Sequence, residues 1–346
     1  MDIVFLLGNG FDLNCGLKTS YKDMYAGYIE SKSQSEVIAK FKDEISGDID
    51  SWADFELEMA EYASKLNSGR ELLECIRDFK QYIKSHLQNE EKKFADWIKA
   101  LKNHYSLNNE KKELQNTLNL FFANCGISND IIRSITVRGQ LEGINIKYIT
   151  FNYTNTLEVI LNSCKENYTG EDIIHIHGDC KNDDIIVGID NMDQVNVNYG
   201  IDKNVMRGFV KPYFNDKYDS NRVRRAKEII KQADCICAFG LSLGETDLTW
   251  RNEILKNLES AEGKMLILFD YKYSTITNKS VEEKMELMDE ARLEISDKWL
   301  IQSEEDLTER IFIPIGKNIF NFEKVISRDL KSLEQVIEKR KGRPVG

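Results

Sequence analysis

The fold class is decided close to the N-terminus, where residues 3–10 read IVFLLGNG. Five successive apolar residues followed by a Gly-x-Gly turn are typical of a parallel strand that is buried on both faces. Similar apolar runs recur at 146–151, 173–176, 185–189, 235–239, 265–269 and 311–315. Segments with helical periodicity separate these runs, so the sequence predicts an α/β fold with a doubly wound, mostly parallel sheet.

A long helical region interrupts the pattern after the first strand. Apolar residues recur at three- and four-residue steps from about residue 21 to residue 135, as at Leu72, Ile76, Phe79 and Ile83. We therefore predict one α/β domain formed by residues 1–20 and 136–346, with residues 21–135 as a large helical insertion. Because glycine-rich turns follow its strands, this domain is expected to bind nucleotides.

Composition excludes several classes of protein. The 346 residues contain 47 Lys and Arg against 58 Asp and Glu, and the net charge of −11 disfavours binding to nucleic acid, although a local basic face is compatible with it. No apolar run approaches the roughly 20 residues of a membrane span, and the N-terminal residues lack the basic region of a signal peptide. Seven scattered cysteines do not suggest a disulfide framework, so we expect free thiols and a cytoplasmic protein.

The first candidate site is the turn after the first strand, and ligands of open parallel sheets bind beyond such carboxyl ends. The turn consists of Gly8, Asn9, Gly10, Phe11 and Asp12. Its glycines let the backbone approach a phosphate and present amide donors to it. The third glycine of the dinucleotide fingerprint is missing, however, so a simple tight turn is an equal alternative.

A second turn follows the apolar run 146–151. Asn152 stands at the end of this strand, and Thr154 follows it. An asparagine amide at this position can hydrogen-bond a ribose hydroxyl or hold a water molecule, but asparagine is also common in turns. Asn155 and Glu158 have the spacing of residues that cap the next helix.

The third turn contains two of the four histidines of the chain, His175 and His177, followed by Gly178. The pair could be zinc ligands with Asp179 and Cys180, structural histidines, or a general base at the end of a strand. Gly178 favours a general base, because it leaves His177 at the rim of the sheet and His175 deeper. No metal site is predicted.

The fourth turn follows the apolar run 235–239. Small and polar residues suited to a cofactor wall occupy it, with Gly240 first, Ser242 as a hydrogen-bond donor and Asp247 as a helix cap or ribose acceptor. Four such turns at carboxyl ends of strands would converge in one cleft.

The order of these turns resembles the bacteriophage abortive-infection AbiH family, which is similar to a divergent sirtuin-like, Rossmann-variant NAD-binding fold. The resemblance covers nearly the whole chain and includes Thr19 after the first turn and the Trp/acidic motif of residues 52–56. It implies that Gly8 and Gly10 form the first cofactor turn, that Asn152 contacts the nicotinamide ribose, that His177 is the base, and that Ser242 belongs to the last cofactor loop. Asn9 and Asp12 depart from the sirtuin pattern, which has alanine and serine there.

The resemblance implies an anti-phage effector that hydrolyses NAD to nicotinamide and ADP-ribose, with Asn152 and His177 as catalytic residues. Two alternatives remain open: a non-catalytic sensor of NAD, ADP-ribose or a related nucleotide that acts with a partner, and a nuclease-type toxin. NAD is the expected ligand, as a substrate, and no metal is expected. The helical insertion could hold an oligomer interface or an autoinhibitory cover, and the chain could act as a homo-oligomer or with a defence-system partner.

Overall fold

A computed structural model gives the structure of the chain. It describes residues 1–45, 62, 69–104, 145–164, 173–182, 184–188, 211, 220–241, 243, 247–299, 301 and 307–316. The motif at 52–56, the loop residue Ser242 and the part of the predicted insertion after residue 104 lie outside the described residues.

Parallel strands form one sheet, as the apolar runs predicted. Among the described residues the sheet has six strands in the order β3-β2-β1-β4-β5-β6. This is the strand order of doubly wound dinucleotide-binding folds. The strands are β1 (Asp2–Leu7), β2 (Asn145–Thr150), β3 (Ile173–His175), β4 (Cys235–Phe239), β5 (Met265–Phe269) and β6 (Ile311–Phe312). The predicted α/β fold class is confirmed.

The strand β1 lies at the centre of the sheet. On one side Leu7 pairs with Thr150 of β2, and on the other it pairs with Phe239 of β4. Strand β1 therefore lies between β2 and β4, and the carboxyl ends of the three strands are neighbours. The prediction of a strand at 185–189 is wrong for the described residues 185–188, which lie outside any strand. Ile185 and Val187 pack on the helical region instead.

Helices connect the strands and cover the sheet. They are α1 (Asn9–Asn14), α2 (Tyr21–Glu30), α3 (Glu36–Ile45), α4 (Gly69–His104), α5 (Thr156–Cys164), α6 (Ser220–Gln232), α7 (Leu248–Ser260), α8 (Tyr271–Ser274) and α9 (Val281–Trp299). A 3-10 helix, Leu307–Arg310, precedes β6. Helices α2, α3 and α4 lie in the predicted insertion, whose boundaries stay a prediction. No helix among the described residues is long and apolar enough to cross a membrane.

Both faces of the sheet are buried, which explains why β4 and β5 are apolar at every position. In β4, Ile236 and Ala238 join a core with α6, α7 and α9, whereas Cys235 and Cys237 join a core on the opposite face. That opposite core includes Phe11 of α1, together with side chains from α4 and α5. Burying each large apolar side chain contributes about 1.5–3 kcal/mol. Cys235 and Cys237 are buried free thiols, as the sequence predicted.

Glycines allow the tips of β1 and β4 to touch. A Cβ atom added to Gly8 would lie 2.4 Å from the carbonyl oxygen of Gly240, and one added to Gly10 would lie 2.5 Å from its Cα. Gly240 itself has a φ of +68°, in the left-handed region that favours glycine. The start of α1 is thereby held against the end of β4.

We expect Gly240→Ala to lower the free energy of unfolding by roughly 2–4 kcal/mol, because a Cβ would strain the left-handed backbone and collide with Gly10. Gly263→Ala is the matched control, since no heavy atom lies within 4 Å of its added Cβ. The control should change stability by about 0.5 kcal/mol at most. Denaturant unfolding of both variants measures the difference, and equal stabilities would show that the close contact does not matter.

Candidate functional site

The candidate site lies at the carboxyl-terminal edge of the sheet, where β1, β2 and β3 end. The turns after these strands carry Asp12, Asn152 and His177, and all three side chains are buried. The carboxyl ends of parallel strands lie at one edge, so the adjacency of β1, β2 and β3 brings the turns together. Three of the four predicted turns thus meet, and Gly240 of the fourth contacts the first.

Amide groups of the first turn are engaged within the protein. The amide of Gly8 donates to the carbonyl of Phe239 at 2.9 Å, and the amide of Gly10 donates to the carbonyl of Gly240 at 3.1 Å. The amide of Phe11 donates to the carbonyl of Gly8 at 2.9 Å. The first two donors hold the turn against the end of β4 and the third closes the turn itself, so a phosphate bound here would need other donors.

Asp12 points from α1 towards the turn after β2. The Thr154 hydroxyl donates to Oδ2 of Asp12 at 2.5 Å, and the Thr156 hydroxyl donates to that of Thr154 at 3.0 Å. Burial raises the pKa of Asp12 to about 7, although the hydrogen bond from Thr154 lowers it. Near neutral pH the carboxyl group therefore exists in both protonation states, as an acid or base that transfers a proton at that pH would.

Three buried polar atoms of this cluster have no hydrogen-bond partner among the described residues. They are Oδ1 of Asp12, Nδ2 of Asn152 and Nδ1 of His177. Most buried polar atoms in native proteins are paired, because desolvating one without compensation costs about 1–3 kcal/mol. Asn152 and Asp12 also lie close to each other, and a hydrogen bond from the Asn152 side chain lowers the pKa of that carboxyl, although the two groups fall outside full hydrogen-bond geometry. The cluster therefore offers an acceptor, a donor and an imidazole to a bound molecule.

His177 lies in the turn after β3, against aromatic rings. Its ring centroid is 5.5 Å from that of Phe151 and 6.4 Å from that of Tyr153. Burial, followed by the positive charges of Lys211 and Arg222, lowers the pKa of His177 well below its ordinary value. The imidazole is therefore neutral at physiological pH.

Gly178 shapes the turn that carries His177. It has a φ of +75°, and an added Cβ would lie 2.0 Å from the carbonyl oxygen of Asp184. The sequence interpretation that His177 lies at an exposed rim with His175 deeper is wrong, because His177 is 6% exposed and His175 is the less buried of the two. The strand β3 ends at His175, so His177 lies in the following turn and its side-chain direction does not follow the two-residue period of a strand.

His175 makes a separate set of contacts. Its Nε2 lies 2.6 Å from Oε1 of Glu158, and its Nδ1 lies 3.1 Å from the carbonyl oxygen of Asn152. Burial alone would lower the pKa of His175, but the hydrogen bond and charge of Glu158 raise it overall. His175 thus links the turn after β2 to helix α5.

The remaining predicted residues occupy the edges of the cluster. The Thr19 hydroxyl donates to Oδ1 of Asn9 at 2.6 Å, which closes the loop after α1. Asp247 precedes α7 and makes no side-chain capping hydrogen bond to it. The sequence patterns did not single out Thr156, which contacts Thr154 two residues away. They also did not single out Glu91 of α4, which reaches Asn155 from 64 residues away along the chain. In the described parts of the chain, no group of three or more His, Cys, Asp or Glu side chains could hold a metal ion.

Comparison with known proteins gives one match. The family model described as "Bacteriophage abortive infection AbiH" matches residues 4–269, a span that runs from β1 to the end of β5 and includes all four turns. No curated protein and no solved structure matches the chain.

Asp12→Asn should make stability less dependent on pH. The folded-state pKa of Asp12 lies above its unfolded value of 3.8, so its contribution to stability is complete below about pH 4 and is lost as the pH rises through about 7. The free energy of unfolding of the variant, relative to the parent, should therefore increase by up to about 4 kcal/mol between pH 4 and pH 8.

Denaturant unfolding across this pH range measures the difference. Asp297→Asn, at an exposed position of α9, is the control, and its difference from the parent should stay constant within about 0.5 kcal/mol. A flat difference curve for Asp12→Asn would contradict a raised pKa for Asp12.

Proposed function

We propose that this chain, which belongs to the bacteriophage abortive infection AbiH family, acts in that defence by hydrolysing NAD to nicotinamide and ADP-ribose. Family membership assigns the chain to antiviral defence by abortive infection. The choice of NAD as substrate is our inference from the site and from the sirtuin-like resemblance of its turns.

The observation that carries the proposal is the trio of unpartnered buried atoms on Asp12, Asn152 and His177. A ribose ring presents two adjacent hydroxyl groups, each of which can donate one hydrogen bond and accept another. Oδ1 of Asp12 can accept from one hydroxyl, and the amide of Asn152 can donate to it or to its neighbour. Nδ1 of His177 completes the set as a donor or acceptor, according to its tautomer.

The reaction breaks the bond between the ribose C1′ and the nicotinamide nitrogen. The bonding electron pair leaves with nicotinamide, which becomes neutral, and the sugar acquires positive charge like that of glycoside hydrolysis. A water molecule then forms a bond to C1′ and gives up a proton. The protein has to orient the ribose, exclude other water and accept that proton.

Asp12 is the side chain best suited to accept the proton. With a pKa of about 7 it is partly ionised at neutral pH, and its negative charge also stabilises the positive sugar. His177, the base expected from the resemblance, has a pKa far below neutrality, so it would accept a proton only weakly. We therefore assign proton transfer to Asp12, and orientation of the ribose to Asn152 and His177.

The diphosphate of NAD needs positive charge or free donors. Lys211 and Arg222 lie near enough to His177 for their charges to lower its pKa, and Arg222 also pairs with Asp184 in the loop after Gly178. The amides of Gly8 and Gly10 already donate to carbonyl groups of the protein. We therefore propose that the diphosphate lies on the side of the imidazole that faces the positive charges of Lys211 and Arg222.

Purified protein incubated with NAD should release free nicotinamide, measured by chromatography. Asp12→Asn should reduce this rate by about 100-fold or more, since general-base catalysis contributes about 10²–10⁴-fold. Asn152→Ala should reduce it by about 100-fold, because the ribose loses a group that orients it. Asp297→Asn and Asn252→Ala are matched controls at exposed positions, and both should retain the parental rate.

Two results would contradict the proposal. If the parent protein binds NAD or ADP-ribose in calorimetry but releases no nicotinamide, the chain is a nucleotide sensor. If RNA or DNA is degraded under the same conditions and NAD is not, the chain is a nuclease-type toxin.

A further inference from the structure

One stretch of helix α4, residues 86–91, contacts the loops that surround the candidate site. Nε2 of His86 lies 2.7 Å from the carbonyl oxygen of Lys18, in the loop after α1. Gln88 donates from Nε2 to the carbonyl of Cys180 at 3.0 Å, in the loop after His177. A helix of the predicted insertion therefore holds two separate site loops through their backbones.

Two neighbouring glutamates on α4 extend this set of contacts. Oε2 of Glu90 accepts from the amide of Lys18 at 3.1 Å. Oε1 of Glu91 accepts from the backbone amide of Asn155 at 2.6 Å and from its side-chain Nδ2 at 3.2 Å. The turn after β2 is thus the third site loop that α4 holds.

Glu91 accepts the hydrogen bond that the local sequence predicts for Glu158. In a capping box, the third residue of a helix accepts from the amide of the residue before the helix, which for α5 would pair Glu158 with Asn155. Glu158 is instead bound to His175 at 2.6 Å. Glu91 supplies the missing acceptor from 64 residues away along the chain.

We propose that Glu91 is a positioning residue of the site: it fixes Asn155 and thereby holds Asn152 and Thr154 in place against Asp12. Asn155 directly follows Thr154, whose hydroxyl binds Asp12, and it lies three residues after Asn152. A displacement of Asn155 would therefore be transmitted to both side chains. The helical insertion therefore contributes a positioning residue to the site, and the effect of that residue on catalysis rests on the proposed function.

The electrostatic setting of Glu91 agrees with this role. Burial raises its pKa, the hydrogen bonds from Asn155 lower it, and the charges of Glu158 and Asp179 raise it. The charge of Glu91 in turn raises the pKa of Asp12. Glu91 is therefore coupled to Asp12 through charge as well as through the turn.

Hydrogen–deuterium exchange of residues 151–157, followed by mass spectrometry, tests the inference without relying on any reaction. Glu91→Ala should increase exchange in this segment about tenfold or more, because the turn loses its acceptor and opens more often. Glu91→Gln keeps an oxygen that can accept from Asn155, so its exchange should stay near the parental rate. Asp96→Ala, at an exposed position of the same helix, is the matched control and should leave exchange unchanged.

If Glu91→Ala does not fold, Glu91→Asp takes its place, since it keeps the charge but withdraws the carboxylate by one methylene group. Exchange in residues 151–157 that equals that of Asp96→Ala would overturn the inference. Where the parent releases nicotinamide, Glu91→Ala should lower kcat about tenfold or more with little change in KM, and Glu91→Gln should restore it. Absence of nicotinamide release from the parent would contradict the proposed function alone, because the exchange result decides the role of Glu91.

Discussion

The site depends on a carboxyl group that is buried at the end of the first strand. Asp12 is 1% exposed, and an isolated ionised carboxylate at such a position is costly. The Thr154 hydroxyl donates to Oδ2 of Asp12, and burial raises the pKa of the carboxyl to about 7. Oδ1 has no hydrogen-bond partner among the described residues. A group held in this way stabilises the fold poorly at neutral pH, which is typical of a residue kept for function.

The position of Asp12 follows from the glycines before and beside it. Helix α1 begins directly after β1, and the contact between Gly10 and Gly240 holds its first turn against β4. Asp12 lies in the first turn of this six-residue helix, and its side chain faces the turn after β2. The turn after β1 therefore positions the buried carboxyl group of Asp12, whereas its Gly8 and Gly10 amides are engaged within the protein.

Much of the sheet could be predicted from the sequence because its strands are buried on both faces. The apolar run at residues 3–7, which ends in a Gly-x-Gly turn, forms β1, and β4 and β5 follow the same apolar pattern. The same rule fails at residues 185–188, where an apolar run packs on the insertion without joining the sheet. Hydrophobic runs report burial, and burial alone does not distinguish a strand from an irregular segment.

The candidate site was only partly predictable. Turns that follow strands identify Asn152 and His177, because chain order and strand order together bring them to one edge. Glu91 carries no such signal, since it lies within an ordinary amphipathic helix and meets Asn155 only through tertiary packing. The burial of His177 likewise depends on Phe151 and Tyr153, which local alternation does not reveal.

The central claim is that the unpartnered atoms of Asp12, Asn152 and His177 receive the nicotinamide ribose of a dinucleotide. A crystal structure of the Asp12→Asn variant with NAD tests it most directly, because slow cleavage preserves the ligand. The account predicts ribose oxygens within about 3 Å of the side chains at positions 12 and 152. A dinucleotide bound elsewhere, or none at a saturating concentration, would contradict it.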